Sequence, residues 1–127
     1  MTNKIYKYTE LTRTIIGCAM EVHNTLGNGF QEKIYQRALA IELGKCGLEY
    51  ESEFSMPIMY KGVQLGMRRV DLLVEQKISV ELKAVLQLEK AHIAQALNYL
   101  EAYQLEVGLL INFGNNRLKF HRLEHYL

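Results

Sequence analysis

Apolar residues recur at helical spacing in three stretches of the chain, over residues 9–26, 31–46 and 88–104. Thr9 is the expected N-cap of the first helix, and the run Gly27-Asn28-Gly29 is its expected stop. Because the apolar positions form a stripe along each helix, each helix is expected to pack one face against the rest of the fold.

Shorter apolar runs, either alternating with polar residues or continuous, predict five strands. The first three are joined by short loops and form an antiparallel meander. The fourth is apolar at nearly every position, which is typical of a central strand, and it follows the third helix as in a strand-helix-strand crossover. The predicted fold is therefore mixed α+β, a mixed sheet flanked by helices. Its strands run over residues 49–60, 63–75, 78–85, 107–113 and 117–121.

Length and composition narrow the class of protein. A chain of 127 residues with 49% hydrophobic and 23% charged residues predicts one globular domain over residues 1–127. The net charge of +1 does not indicate nucleic-acid binding through bulk charge, so any phosphate-binding surface must be local. No stretch has the length and apolarity of a transmembrane helix. Residues Met1 to Lys4 lack the apolar run of a signal peptide, so we expect a cytoplasmic protein with no membrane association.

Acidic residues interrupt two apolar strands that should contain none. Asp71 lies in the second predicted strand, and Glu81 and Lys83 lie in the third. A reversal centred on Gln76 would place Asp71 opposite Glu81, with Lys83 on the same face. Burying a carboxylate is costly unless it is paired, hydrogen-bonded or bound to a cation, and hard divalent ions such as magnesium favour oxygen-rich sites.

A simpler interpretation is a sheet face with ordinary salt bridges, because a carboxylate opposite a lysine is a common cross-strand pair. Spacing alone does not separate the two interpretations. The same applies to the last strand, whose basic residues Arg117, Lys119 and His121 can either contact phosphate or protect a sheet edge with charge.

Four further residues on the predicted helices have a structural interpretation beside a functional one. Glu32, in the first turn of the second helix, either complements the helix dipole or reaches the acidic residues if Gly29 allows close approach to the sheet. Tyr35, one turn later, is most simply a core aromatic residue with a hydrogen-bonded hydroxyl. Gln95 and Tyr99 share one stripe of the third helix, which matters for function only if that helix crosses the carboxylates.

The order of an Asp on one strand, Glu81-Leu82-Lys83 on the next and then a helix with Gln95 resembles the PD-(D/E)XK nuclease superfamily, which has the restriction-endonuclease-like fold. The run from Gly29 to Tyr35 is similar to the signature of the bacterial GxxExxY proteins, a branch of that superfamily. The likeness extends from the first helix to the last strand. One departure is Val70, which stands before Asp71 where the superfamily name implies proline.

The resemblance implies a magnesium-dependent nuclease that hydrolyses phosphodiester bonds, with manganese able to substitute. It assigns Asp71 and Glu81 as metal ligands, with the Leu82 carbonyl as a further ligand. It assigns Lys83 to orienting the attacking water or to stabilising charge on the phosphate. Magnesium needs only one or two protein carboxylates, which is compatible with this set.

The same resemblance assigns supporting catalytic roles to Glu32, Gln95 and Tyr99. The expected partner is nucleic acid, with DNA preferred, and specificity is expected from homo-oligomerisation or from a partner protein. Two other functions stay open at this stage. One is a non-catalytic binding or interaction module that keeps the nuclease-like fold, and the other is a structural protein with a salt-bridged sheet.

Overall fold

The computed structural model describes residues 8–125. The signal-peptide prediction concerns Met1 to Lys4, which lie outside the described part of the chain. No described helix is both long and apolar enough to cross a membrane. The described elements follow the predicted order. They are α1 (Thr9–Leu26), α2 (Glu32–Lys45), β1 (Tyr50–Tyr60), β2 (Val63–Val74), β3 (Ile78–Lys83), α3 (Lys90–Tyr103), β4 (Val107–Asn112) and β5 (Lys119–Glu124).

The strands form one five-stranded sheet in the order β1-β2-β3-β4-β5. The first three pair antiparallel, which confirms the predicted meander. β3 and β4 are parallel and are connected through α3, so the predicted strand-helix-strand crossover is also confirmed. β5 returns antiparallel to β4. The predicted fold class, a mixed α+β fold with helices on a mixed sheet, is therefore confirmed.

The helices pack on opposite faces of this sheet. One buried cluster joins α1 and α2 to Leu72, Val80 and Leu82 of the central strands. A smaller cluster joins α3 to Leu110 of β4 and Leu123 of β5. β4 is buried along its whole length between the two layers, as its apolar sequence predicts.

The first helix has the predicted bounds but a different N-cap. Thr9 is its first helical residue, and the cap position is Tyr8, which has a left-handed backbone with φ of 58° and makes no side-chain capping bond. The Thr12 hydroxyl donates to the Tyr8 carbonyl at 3.1 Å, which adds a contact within the first turn. α3 has the stronger start, since Glu89 and His92 form a reciprocal capping box.

The β1–β2 hairpin extends well beyond the helices. Its register shifts between Ile58, which pairs with Gly66, and Met59. Pro57 lies on the edge strand of the sheet, as a residue without a backbone donor requires. The hairpin leaves several large apolar side chains exposed, including Leu65 and Met67.

The last strand forms the opposite edge of the sheet. It begins at Lys119, so Arg117 belongs to the preceding turn and not to the strand. Lys119 and His121 are exposed. These polar side chains therefore lie on an edge strand that could otherwise pair with another chain. Edge protection is the simpler of the two predicted roles.

Candidate functional site

β2 and β3 separate where the acidic residues lie. Their observed pairs are Leu72 with Val80, Leu73 with Ser79 and Val74 with Ile78, which is the register of the predicted reversal around Gln76. The pairing stops one residue before Asp71 and Glu81 would meet. There the Asp71 carboxylate accepts a hydrogen bond from the Leu82 backbone N–H, with Oδ2 at 2.8 Å from the nitrogen.

Both carboxylates belong to the α3 side of the sheet. Glu81 pairs in register with Leu110, which packs against α3, while the flanking Val80 and Leu82 belong to the core beneath α1 and α2. Asp71 precedes Leu72, which also faces that core, so alternation directs Asp71 to the α3 side.

Glu81 is the ionisable group of this region whose negative charge is most disfavoured by its surroundings. Its residue surface is only 8% exposed, and its Oε1 atom is buried without a hydrogen-bond partner among the described residues. Burial, followed by the negative charge of Asp71, raises the pKa of Glu81 to about 8, although a hydrogen bond from the Asp71 backbone and the charges of Lys83 and Arg68 act in the opposite direction. A buried carboxylate with a free oxygen and an acidic neighbour has the chemistry of a cation ligand.

Asp71 is held in a similar environment. Burial raises its pKa most, the hydrogen bond from Leu82 lowers it, and the charge of Glu32 raises it again. Glu32 is exposed at the start of α2, yet its charge acts on Asp71 across the edge of the sheet. The structure therefore brings Glu32 close enough to Asp71 for electrostatic interaction.

The approach of α2 to the sheet has a different cause from the one predicted. A Cβ atom at Gly29 would meet no atom within 4 Å, so the missing side chain does not create the contact. Instead, Lys33 forms an ion pair with Glu53 of β1, and Glu53 also lies 3.7 Å from Arg69 of β2. These ion pairs join the first turn of α2 to the strands, although each is exposed and contributes little to stability.

Tyr35 is a structural residue, as the simpler interpretation predicts. Its side chain is fully buried and stacks on Phe113 with ring centroids 4.6 Å apart. Its hydroxyl donates to the Gly27 carbonyl at 2.6 Å and accepts from the Phe30 N–H at 3.1 Å. Tyr35 therefore holds the turn that leads into α2 and so positions Glu32.

Lys83 ends β3 on the same face as Glu81. It forms no ion pair within the described residues, but its charge lowers the pKa of both Asp71 and Glu81. An ammonium group near two carboxylates that does not neutralise them by direct contact is available for an anionic ligand.

α3 contributes Tyr99 but not Gln95 to this group of residues. The pKa of Tyr99 is raised by burial and then by the charge of Glu81, with a smaller effect of Asp71, so α3 does cross the carboxylates. Gln95 is exposed, and its side chain makes no hydrogen bond within residues 8–125. Its supporting role stays a prediction.

Arg68 is a residue that the sequence did not single out. Its guanidinium lies over the Tyr99 ring, 4.3 Å from the centroid, and its charge acts on Glu81. The adjacent Arg69 instead pairs with Glu53. Two neighbouring arginines in β2 were the available signal, but the sequence does not indicate which of them lies over Tyr99.

Asn112 is a second such residue, because it fixes the end of β3. It is almost fully buried, and its side-chain amide both accepts from the Val85 N–H at 3.0 Å and donates to the Val85 carbonyl at 2.9 Å. Gly114 fits closely against the same segment, since an added Cβ would lie 2.4 Å from Val85 backbone atoms. Together they hold the chain that follows Lys83.

The donor set fits one divalent ion held by few protein ligands. Within residues 8–125 there is no group of three or more His, Cys, Asp or Glu side chains arranged around a common metal position. Asp71 and Glu81 nevertheless offer two carboxylates, one with an unpartnered buried oxygen. Magnesium commonly binds one or two carboxylates and keeps water in its other positions, so this pair is sufficient.

Comparison with known families identifies the class of protein. The sequence model of the PD-(D/E)XK nuclease superfamily matches residues 9–123, which is nearly the whole chain. The chain belongs to the PD-(D/E)XK nuclease superfamily. No curated protein sequence matches it.

Among solved structures, the chain is similar to the one titled "Crystal structure of SSO0001". The TM-score is 0.60 with 18% sequence identity, and the match covers 98% of this chain and 62% of the other. At that identity the likeness concerns the fold alone. The chain spans less than two thirds of the length of that relative.

Proposed function

We propose that this protein is a magnesium-dependent nuclease that hydrolyses phosphodiester bonds in DNA. The observation that carries the proposal is the buried, unpartnered Oε1 of Glu81 beside the Asp71 carboxylate. Such a pair is unfavourable in the absence of a cation, because desolvation and like charge both oppose ionisation. Membership of a nuclease superfamily supports the same function.

In this proposal Asp71 and Glu81 hold the magnesium ion, which manganese can replace, and the Leu82 carbonyl is available as a further ligand. A bound divalent ion supplies neutralisation of the phosphate charge and activation of a water nucleophile. Lys83 faces the phosphate with its ammonium group and stabilises negative charge that develops there. The hydrogen bond from Leu82 orients the Asp71 carboxylate before any ligand arrives.

Glu32, Tyr99 and Gln95 take supporting roles. Glu32 adds negative charge near Asp71 and would contact water in the outer shell of the ion. Tyr99 covers the α3 side of the carboxylates, and Gln95 is exposed on the same helix for contact with the substrate.

We also propose that the chain belongs to the GxxExxY branch of the superfamily. Support comes from the run Gly29 to Tyr35, in which Tyr35 anchors the turn and Glu32 acts on Asp71. In this view Tyr35 of the signature holds the turn that contains Gly29. Glu32 of the signature contributes charge at the site.

The direct test is cleavage of plasmid and oligonucleotide DNA by the purified protein with magnesium or manganese. Asp71→Asn removes one carboxylate charge while keeping the shape and an acceptor oxygen, so we expect cleavage to be lost with folding retained. Glu101→Gln is the matched control, because Glu101 is exposed on α3, and it should cleave like the wild type. Equal cleavage by Asp71→Asn and the wild type would reject the site.

One observation favours a second candidate function. The absence of a three-ligand group among residues 8–125 is compatible with a nucleic-acid-binding or interaction module that does not cleave. That candidate predicts DNA binding without cleavage in either metal, and binding that is insensitive to Asp71→Asn.

A further inference from the structure

A cavity of about 380 Å³ lies between the β1–β2 hairpin and the end of α3. Its wall is formed by residues 56–59 of β1 together with Arg68, Ala102 and Tyr103. Most of this wall is apolar, and the volume is within the range of about 300–1,000 Å³ typical of small-ligand sites. The cavity is thus of a size and polarity that suit a flat, largely apolar group.

Arg68 connects this cavity to the proposed catalytic site. It lines the cavity, lies over the Tyr99 ring at 4.3 Å and acts electrostatically on Glu81. Within the described residues it forms no ion pair with a carboxylate. Its positive charge is therefore available to an anion located between the cavity and the carboxylates.

Tyr103 lines the cavity, and its hydroxyl group is hydrogen-bonded within the protein. Its hydroxyl donates to the backbone carbonyls of Phe54 at 3.2 Å and Arg68 at 3.3 Å. The ring packs near Phe54, with centroids 5.5 Å apart, and near Tyr99, with centroids 6.2 Å apart and an interplanar angle of 28°. This arrangement fixes an aromatic surface beside the arginine.

We propose that the cavity binds an unpaired nucleobase of the DNA substrate, with Arg68 contacting the phosphate next to that base. The inference rests on the proposed nuclease function and names its substrate class, which is DNA with a single-stranded or unpaired segment at the cut. A base in a duplex is stacked on both faces, so it cannot enter the cavity. An unpaired base can enter and stack against the Met, Ile and Tyr side chains that line it.

The test measures the affinity of fluorescent single-stranded and duplex oligonucleotides with calcium in place of magnesium, and their cleavage with magnesium. Ala102→Phe places a ring in the cavity from an exposed helix position. Ala91→Phe is the matched control on the same helix, about 16 Å away at 1.5 Å per residue. We expect tighter binding of the single strand than of the duplex, and about a tenfold loss of single-strand affinity in Ala102→Phe only.

A second arm uses single strands with one abasic position moved along the sequence. In the wild type, one position next to the cleaved phosphate should lose affinity, and in Ala102→Phe that difference should disappear. If cleavage persists while neither the abasic position nor Ala102→Phe changes affinity, the cavity proposal is wrong and the nuclease proposal stands. If the wild type neither binds nor cleaves any of these DNAs, both proposals fail.

Two more outcomes would overturn the cavity proposal alone. One is a clear preference for duplex DNA in binding and cleavage. The other is a change in oligomeric state on Ala102→Phe, measured by light scattering, with unchanged DNA affinity, since the cavity would then be a contact between copies of the chain.

Discussion

The Asp71 carboxylate accepts a hydrogen bond from the Leu82 backbone N–H at 2.8 Å, at the point where β2 and β3 stop pairing. The side chain thereby replaces a strand–strand contact that would otherwise satisfy the Leu82 amide. The Asp71 carboxylate therefore has two functions. It ends the pairing between β2 and β3, and it places negative charge beside Glu81. Substitutions at Asp71 should separate these functions.

Asp71→Ala should destabilise the fold more than Asp71→Asn. Alanine leaves the Leu82 N–H without its acceptor, at a cost of about 1–3 kcal/mol, whereas the asparagine oxygen can still accept. Asparagine also removes the charge that opposes ionisation of Glu81, so its free energy of unfolding in metal-free buffer should equal or exceed that of the wild type. Urea denaturation of the three proteins at pH 8 measures the difference, and equal stability of the two variants would contradict the assigned bond.

The stability of the metal-free protein should fall as the pH rises from 4.5 towards 8. Glu81 has a pKa of about 8 when folded and an ordinary value of 4.5. Between these values the folded protein retains a proton that the unfolded chain has lost, so each pH unit lowers the free energy of unfolding by up to about 1.4 kcal/mol. Outside this window the contribution of Glu81 is constant.

Glu81→Gln tests that dependence because glutamine cannot ionise. The variant should gain stability over the wild type as the pH rises through the same window, while Glu101→Gln should follow the wild type at every pH. Urea titrations in EDTA across the window provide the measurement. Parallel pH profiles for Glu81→Gln and the wild type would show that Glu81 ionises normally.

Lys83→Met should slow cleavage strongly with little loss of stability. The change keeps the length and most of the apolar stem but removes the ammonium group that faces the proposed phosphate position. Lys45→Met is the control, because Lys45 is exposed at the far end of α2. Rates should fall at least tenfold in the first variant and stay unchanged in the second. Full activity in Lys83→Met would remove Lys83 from the site.

Tyr35→Phe should destabilise the protein by about 1–3 kcal/mol, because the Gly27 carbonyl and the Phe30 N–H each lose a hydrogen-bond partner. Tyr50→Phe, at an exposed position of β1, should have almost no effect. Urea denaturation gives both values, and hydrogen exchange should show faster exchange of the Phe30 amide only in the Tyr35 variant. An unchanged exchange rate would argue against the role of the hydroxyl.

The order of helices and strands could be predicted because the spacing of apolar residues along the chain differs between the two. β4 is apolar at almost every position and is buried on both sides, and the apolar stripe of α1 matches its packed face. In α2 the stripe matches only in part, because Leu39 and Leu43 are buried whereas Ile34 and Ile41 are exposed. The bounds of α1 were predicted correctly, but its N-cap was placed at Thr9 and lies at Tyr8, since a left-handed residue at that position has no propensity signal.

The carboxylates were visible in the sequence for a simple reason. A charge in an apolar strand is conspicuous, so Asp71 and Glu81 could be identified before their environment was known. Arg68 was missed because two adjacent arginines project to different sides of a strand, and the local backbone decides which of them reaches Tyr99. Asn112 was missed because its partner, Val85, is distant in sequence.

The central claim is that Asp71 and Glu81 jointly hold a divalent cation. A crystal structure of the full chain grown with manganese tests it directly through anomalous scattering. The account predicts one anomalous peak within ligand distance of carboxylate oxygens from both residues, and no such peak in a matched crystal of Asp71→Asn. A well-ordered site without density between the two carboxylates, at manganese concentrations that support cleavage, would contradict it.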